Sequence, residues 1–135
     1  MEKFIIEGGK PLKGTVRVAG SKNAALPLIA ATLLTSEECI LRNVPDIEDV
    51  RTMLKIMEFL GAEYEFEDNV LKIQTKEIKQ TEISHELVCR LRASILFLAP
   101  LLAREGEVKL AFPGGCILGK RSVSAHLYAL GKLGG

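Results

Sequence analysis

Two stretches of the chain are apolar on every side, and they dominate its hydrophobic pattern. They are the runs 24–34 and 93–103, which lie in helices predicted at 23–34 and 86–104, and a helix without a polar face is typical of the centre of a fold. A third helix is predicted at 47–60, where apolar residues recur at helical spacing along one side only. The same kind of pattern predicts a last helix at 123–133.

Residues with strong preferences for helix ends place the boundaries of these helices. Ser21 and Asp46 precede the first apolar helix and the one-sided helix, and both are predicted N-caps because a short polar side chain can accept bonds from the first backbone N–H groups. Gly61 and Gly106 are predicted to end helices. Pro27 lies early enough in its helix to be tolerated, since the first N–H groups lack intrahelical partners.

Alternating apolar and polar residues predict short strands between the helices. The clearest case is a hairpin, because Glu67, Asp68 and Asn69 stand between two alternating stretches. The polar segment 75–84 is interpreted as a connector. The predicted strands are 4–7, 14–18, 39–41, 64–66, 70–73 and 108–112.

The order of predicted elements recurs at an offset of about seventy residues. Lys22 and Arg92 each open an apolar helix that contains one proline, and each helix is followed by a strand, a proline and a helix ending in Leu-Gly. This spacing predicts two copies of one supersecondary unit, at about 14–75 and 80–135. The second copy differs mainly by an insertion at 114–121 and stops before its hairpin, so we interpret the chain as an amino-terminal part of a longer protein.

The insertion lies within a glycine-rich segment, 112–121, that holds a single cysteine. Cys116 is followed by Lys120 and Arg121, and nearby positive charge favours the thiolate form of a cysteine. The segment is therefore a candidate for a cysteine that acts as an acid or a nucleophile. The alternative is a surface loop whose cysteine has no chemical role.

The two cations at the repeated position, Lys22 and Arg92, are candidates for anion binding. A helix N-terminus carries free N–H groups and partial positive charge, so a cation there serves a bound anion better than it serves the helix. The alternative is that both side chains extend from apolar helices to reach solvent.

Composition narrows the class of protein. The 135-residue chain is 47% hydrophobic and 26% charged with a formal net charge of +1. These values describe one folded domain and give no reason to expect nucleic acid or a membrane as partner. The three cysteines show no Cys-x-x-Cys spacing. We therefore expect neither a disulfide framework nor a zinc site, and a reducing cytoplasm fits best.

Three motifs carry a resemblance to a known family. They are GSKNAALP at 20–27, LRASI at 91–95 and PGGCILGKR at 113–121. Together they resemble the enolpyruvyl transferases, and among these the UDP-N-acetylglucosamine 1-carboxyvinyltransferases. The resemblance covers the whole chain but only the amino-terminal part of a full family member. The 3-phosphoshikimate 1-carboxyvinyltransferases are a sister family with a similar fold, and Asn23 and Cys116 distinguish the chain from them.

The resemblance implies an α/β fold of repeated βαβαββ units with buried helices, an inside-out α/β barrel that is incomplete in this chain. It implies that residues 1–20 contribute amino-terminal strands to a second domain. Residues 21–135 would then form part of one enolpyruvyl transferase domain. In the family, the active site lies in the cleft between the two domains.

The resemblance also implies an activity and its residues. Enolpyruvate is transferred from phosphoenolpyruvate to the 3-hydroxyl of UDP-N-acetylglucosamine with release of phosphate, the first committed step of peptidoglycan synthesis. The reaction takes place in the cytoplasm and needs no metal or organic cofactor. Cys116 is implied as the catalytic acid that delivers a proton to C3 of the enol. The implied substrate-binding residues are Lys22, Asn23, Arg92, Arg121 and Val123.

The chain departs from the family directly after Arg121. The family usually has Pro-Val-Asp-x-His there, whereas this chain has SVSAH at 122–126, so the aspartate that helps to read the uridine is absent. Two alternatives stay open: a non-catalytic ligand-binding or regulatory paralogue of the same fold, and a structural fragment that associates with a copy of itself. Because the family's remaining catalytic residues are not in this sequence, we expect the chain to be inactive alone.

Overall fold

The computed structural model describes residues 3–111 and 122–134. They form helices and short strands in two successive groups that share one main core. In chain order, the elements are α1 (Lys22–Ala31, continued by a 3₁₀ turn at Thr32–Leu34), β1 (Cys39–Arg42), α2 (Glu48–Leu60), β2 (Glu63–Glu67), β3 (Val70–Gln74), β4 (Glu82–Ile83), α3 (His85–Arg90), a 3₁₀ segment (Arg92–Phe97), α4 (Leu98–Glu105), β5 (Lys109–Leu110) and α5 (Ser124–Lys132).

The first group contains a three-stranded antiparallel sheet in the order β1-β3-β2. Its hairpin confirms the prediction, since Asp68 and Asn69 form the turn with φ values of 47° and 61°, as a type I′ turn requires. In the central strand β3, Leu71 and Ile73 are buried while Lys72 between them is exposed. The hairpin therefore has one wet face, as the alternation predicted.

Helix α1 is buried on one face only. It packs against α2, and the 3₁₀ turn that continues α1 contacts β3. Ile29, Leu33 and Met53 lose all exposed surface there. Leu28 and Leu34 keep 52% and 59% of theirs. The prediction of burial on every side is therefore wrong for the described residues, because they supply packing partners for one face of α1 and leave the other open.

The two predicted N-caps differ in outcome. Ser21 does occupy the cap of α1, but its backbone carbonyl rather than its side chain accepts a hydrogen bond there, from the Ala25 N–H at 2.9 Å. Asp46 is not the cap of α2, which is Ile47. The Asp46 carboxylate instead accepts hydrogen bonds of 2.7 Å from Nε and Nη2 of Arg51, and this pairing keeps it from the N–H groups of the helix.

Both predicted helix-ending glycines are confirmed. Gly61 and Gly106 follow α2 and α4 with φ values of 106° and 77°. At the end of α2, the Ala62 N–H donates to the Met57 carbonyl at 2.9 Å. Together with the bond from the Gly61 N–H to the Glu58 carbonyl, this forms a Schellman motif that satisfies the last carbonyls of the helix.

The continuous helix predicted at 86–104 is wrong. The chain is extended at Leu91 (φ −140°, ψ 118°), follows a 3₁₀ path and becomes α-helical again only in α4. The Pro100 ring excludes the carbonyl of the residue four positions earlier, so α4 begins late enough to hold Pro100 in its first turn. A hydrogen bond also stabilises this break in the helix: the buried Ser94 hydroxyl donates to the Val88 carbonyl at 3.2 Å.

The second group of elements contains a short pair of parallel strands. Strand β4 pairs with β5 in the register Glu82↔Lys109 and Ile83↔Leu110. The segment 75–84, interpreted as a polar connector, therefore contains a short strand at Glu82–Ile83 that the sequence did not predict. The strand predicted at 108–112 is observed only at Lys109–Leu110, and its last residue lies outside the described ones.

The strands predicted at 4–7 and 14–18 do not form among the described residues, since 3–20 contain no strand. A strand is stable only when its backbone groups are paired and its apolar side chains are covered. Here Phe4, Ile6 and Val16 are 97%, 87% and 85% exposed. Apolar and polar residues do alternate in this part of the sequence, but no described residue covers the apolar side chains.

The spacing of the two groups follows the predicted offset. Strands β1 and β5 begin at Cys39 and Lys109, seventy residues apart. Five residues (43–47) separate β1 from α2, whereas thirteen (111–123) separate β5 from α5. The difference matches the length of the insertion at 114–121, which lies outside the described residues.

Two buried threonines allow a direct test of this core. The Thr75 hydroxyl is buried and has no hydrogen-bond partner among the described residues, whereas the buried Thr32 hydroxyl donates to the Ile29 carbonyl at 2.7 Å. We expect Thr75→Val to raise the free energy of unfolding by about 1 kcal/mol and Thr32→Val to lower it by about the same amount. Urea unfolding of both variants measures this. Equal destabilisation by both would show that the Thr75 hydroxyl is bonded.

Candidate functional site

Lys22 and Asn23 are the first two residues of α1, and both are exposed. The Lys22 ammonium forms an ion pair with the carboxylate of Asp49, which lies in the first turn of α2. Half of the Lys22 side chain and 32% of the Asp49 side chain are exposed. The start of α1 therefore presents a cation whose direction is set by a neighbouring helix.

A close backbone approach fixes where α1 begins. A Cβ placed on Gly20 would lie 1.7 Å from the carbonyl oxygen of Asn43 and 3.2 Å from Cδ of Pro45. Only glycine allows such an approach. Asn43 itself has a positive φ of 58°. The chain entering α1 thus lies directly on the turn that follows β1.

The turn after β1 is also hydrogen-bonded to the turn of the β2–β3 hairpin. The Val44 N–H donates to the Asn69 carbonyl at 2.9 Å, and the Asn69 side-chain amide donates to the Val44 carbonyl at 2.8 Å. Gly20 therefore contacts a turn whose backbone is held by two hydrogen bonds between Val44 and Asn69. Lys22 and Asn23, two and three residues later, take their position from this contact.

Arg92 is the first residue of the 3₁₀ segment and is half-buried. Helix α1 contacts this segment, so the elements that begin at Lys22 and at Arg92 pack together. The structure thus brings together the two elements that the repeat made equivalent.

The other predicted site residues have different positions. Cys116 and Arg121 lie outside the described residues. The Val123 side chain is buried, 5% exposed, in a small cluster with Ile95 and Leu98. Its carbonyl accepts bonds from the backbone of α5, including the His126 N–H at 3.0 Å. Substrate binding by Val123 stays a prediction.

The departure at Ser122 and Ser124 has a local structural role. The Ser122 hydroxyl accepts a hydrogen bond from the Ser124 N–H at 3.0 Å and lies 2.5 Å from the Ser124 hydroxyl. The two serines are exposed and together open α5. Small hydroxyl side chains commonly make such turns at helix starts.

Sequence reasoning missed Asp49. Its only local signal is an acidic residue in the first turn of a helix, which is a common and stabilising placement. Its partner Lys22 stands 27 residues earlier, and only the packing of α1 on α2 brings the two charges together.

A surface cavity of about 430 Å³ lies beside the turn that Gly20 contacts. Among the described residues, those that line it are Arg17, Val18, Ala19, Arg42, Asn43, Asp68, Asn69 and Val70. The predicted site residues that the structure describes, Lys22, Asn23, Arg92 and Val123, are not among them. Across residues 3–111 and 122–134, no group of His, Cys, Asp and Glu side chains is arranged to hold a metal ion. No helix in the same part of the chain is long and apolar enough to cross a membrane.

Residues 6–135 match the family model of EPSP synthase (3-phosphoshikimate 1-carboxyvinyltransferase). The chain belongs to the EPSP synthase family. A solved relative, the enolpyruvyl transferase NikO from Streptomyces tendae, superposes with a TM-score of 0.66 at 27% identity, over 73% of this chain and 23% of that one. The enolpyruvyl transferase fold expected from the motifs is thereby confirmed, as an incomplete form of that α/β fold.

Curated relatives narrow the resemblance within the family. The chain is 48% identical over 134 residues to the UDP-N-acetylglucosamine 1-carboxyvinyltransferase of Methylacidiphilum infernorum, and 49% identical over 135 residues to that of Treponema denticola. Each alignment covers 99% of this chain and 32% of the relative. The chain thus spans about a third of the length of the curated relatives it matches.

The Gly20 contact predicts a strong effect of one methyl group in this family member. We expect Gly20→Ala to lower the free energy of unfolding by about 1–3 kcal/mol, because the backbone atoms it meets have no room to move. Gly8→Ala is the control, since a Cβ at Gly8 has no atom within 4 Å, and its effect should stay within about 0.5 kcal/mol. Thermal or urea unfolding distinguishes them. Equal stability of the two variants would contradict the close approach.

Proposed function

We propose that this chain is the amino-terminal portion of a UDP-N-acetylglucosamine 1-carboxyvinyltransferase. The enzyme would transfer enolpyruvate from phosphoenolpyruvate to the 3-hydroxyl of UDP-N-acetylglucosamine and release phosphate, in the cytoplasm, as the first committed step of peptidoglycan synthesis. The observation that carries the proposal is the 48% identity over 99% of the chain to a protein of that name. Asn23 and Cys116 favour this substrate over the shikimate substrate of the sister enzyme.

The charges at the starts of two packed elements support an anion site. Phosphoenolpyruvate carries a phosphate and a carboxylate, and both need fixed positive charge. Lys22 supplies an ammonium at a helix N-terminus, where the backbone adds partial positive charge. Arg92 and Arg121 supply guanidinium groups, which can bind an oxyanion through two parallel hydrogen bonds.

The reaction needs a proton donor near C3 of phosphoenolpyruvate. In the addition step, the sugar 3-hydroxyl gives its proton to a base in the remaining sequence and its oxygen bonds to C2, while a second proton adds to C3 to give a tetrahedral intermediate. Loss of phosphate and of a C3 proton then restores the double bond. We assign the donated proton to Cys116, and we assign hydrogen bonds to the substrates and the intermediate to Asn23. Closure of the glycine-rich loop over the sugar nucleotide would exclude water.

The proposal requires the rest of a full-length protein. The chain spans 32% of its relatives, and the deprotonating carboxylate and further arginines of the family have no counterpart among the matched motifs. We propose that residues 1–20 form strands within a second domain built mostly from the remaining sequence. The exposed apolar side chains of Phe4, Ile6 and Val16 support this, because a second domain would cover them. The 135-residue chain alone should not turn over.

The alternative is a non-catalytic, ligand-binding paralogue of the same fold. It is favoured by Ser122 and Ser124, which bond to each other and stand where the family usually has a proline and an aspartate. Such a protein would bind a sugar nucleotide without consuming phosphoenolpyruvate.

Steady-state kinetics of the full-length protein tests the proposal. We expect phosphate release that depends on both substrates, and we expect Lys22→Met to lower kcat/KM for phosphoenolpyruvate about a hundredfold. Lys55→Met is the matched control, since Lys55 is an exposed lysine within α2, and it should behave as wild type. Nucleotide binding without phosphate release would support the paralogue instead.

Cys116 is tested separately by its reactivity. In the full-length protein, the rate of Cys116 alkylation should change with pH around a shifted midpoint, and UDP-N-acetylglucosamine should alter that profile by closing the loop. Peptide mapping across pH, with and without the nucleotide, measures this, with Cys39 and Cys89 as internal references. A midpoint near the ordinary cysteine pKa of about 8.5 that does not change with the nucleotide would refute the acid assignment.

A further inference from the structure

We propose that Asp49 is a positioning residue that holds the Lys22 ammonium at the start of α1, ready for the oxyanion of the substrate. The proposal rests on the proposed function, in which Lys22 binds phosphoenolpyruvate. It adds Asp49, a residue of α2, to the proposed anion site, and Asp49 affects the substrate only through Lys22.

The ion pair joins two elements that are fixed independently. The backbone before Lys22 lies on the Asn43 turn through Gly20. Asp49 precedes Val50, which has no exposed surface, so the first turn of α2 is held by the core. The Lys22 and Asp49 side chains bridge these two backbone positions.

A free lysine side chain has many conformations, and ordering it costs about 2 kcal/mol. A carboxylate at a fixed position selects a subset of them before the ligand arrives, and such preorganisation lowers the cost of binding. Asp49 suits this role because its side chain is only 32% exposed, less than the 48% of Asp46 on the same end of α2.

The other acidic residues at this end of α2 act on a different cation. Asp46 accepts two hydrogen bonds from Arg51. That bonding raises the pKa of the Arg51 guanidinium, with a smaller contribution from the charge of Glu48. Of the three acidic residues at 46, 48 and 49, the Lys22 ion pair therefore belongs to Asp49. This separation provides a control within the same helix turn.

The experiment uses the full-length protein and compares Asp49→Asn with Asp46→Asn. We expect Asp49→Asn to raise KM for phosphoenolpyruvate about tenfold while kcat changes less than about twofold. Asp49→Glu should recover part of the loss because it restores the carboxylate. Asp46→Asn should leave both constants within about twofold of wild type. An unchanged or lowered KM in folded Asp49→Asn would overturn the proposal.

A double-mutant cycle separates positioning from general stability. On a Lys22→Met background, Asp49→Asn should have no further effect on KM, since Asp49 acts only through Lys22. An additive effect would overturn the proposal. If Asp49→Asn does not fold, as judged by thermal unfolding, the same cycle is run with Asp49→Glu.

Failure of the underlying function gives a different result. If Lys22→Met alone keeps the wild-type KM for phosphoenolpyruvate, then the anion site and the role of Asp49 both fail. If Lys22→Met raises KM and Asp49→Asn does not, only the positioning role fails.

Discussion

Burial of one face of α1 is the interaction on which both groups of elements depend. The helix contacts α2 in the first group and the 3₁₀ segment in the second. Arg104 of α4 adds a polar connection: Nη1 donates to the carbonyls of Leu33 and Thr35 at 3.0 and 3.2 Å, and Nη2 to that of Lys76 at 2.7 Å. The Leu33 and Thr35 carbonyls lie at the end of the 3₁₀ turn, where carbonyls lack helical partners. Helix α1 thus connects Lys22, at its own start, with the 3₁₀ segment that begins at Arg92.

Elements whose signal is local could be predicted from the sequence. The stripe of α2, the Asp68-Asn69 turn and the ending at Gly61 each depend on a few neighbouring residues, and all three are observed. The positions of Lys22 and Arg92 at element starts also followed from a pattern within the chain. Such features are set by backbone geometry and hydrophobic period, and distant partners change them little.

Features that depend on distant partners could not be predicted. The alternation at 14–18 becomes a strand only beside another strand, and the described residues provide none there. The apolar run at 86–104 failed for a nearby cause instead, because its hydrophobic pattern does not indicate the Ser94 bond to Val88 or the constraint from Pro100. The Lys22–Asp49 pair likewise arises from helix packing, which no spacing along the chain reveals.

The placement of the two charges argues that the pair has a role beyond stability. Asp49 lies in the first turn of α2, where a helix favours a negative charge. Lys22 lies in the first turn of α1, where a helix disfavours a positive one. A partly exposed ion pair contributes only about 0–1 kcal/mol, which hardly offsets an unfavourable position. A cation kept at such a point has its greatest effect when an anion shares the N-terminus with it. A carboxylate from the neighbouring helix then keeps the ammonium in place while that anion is absent.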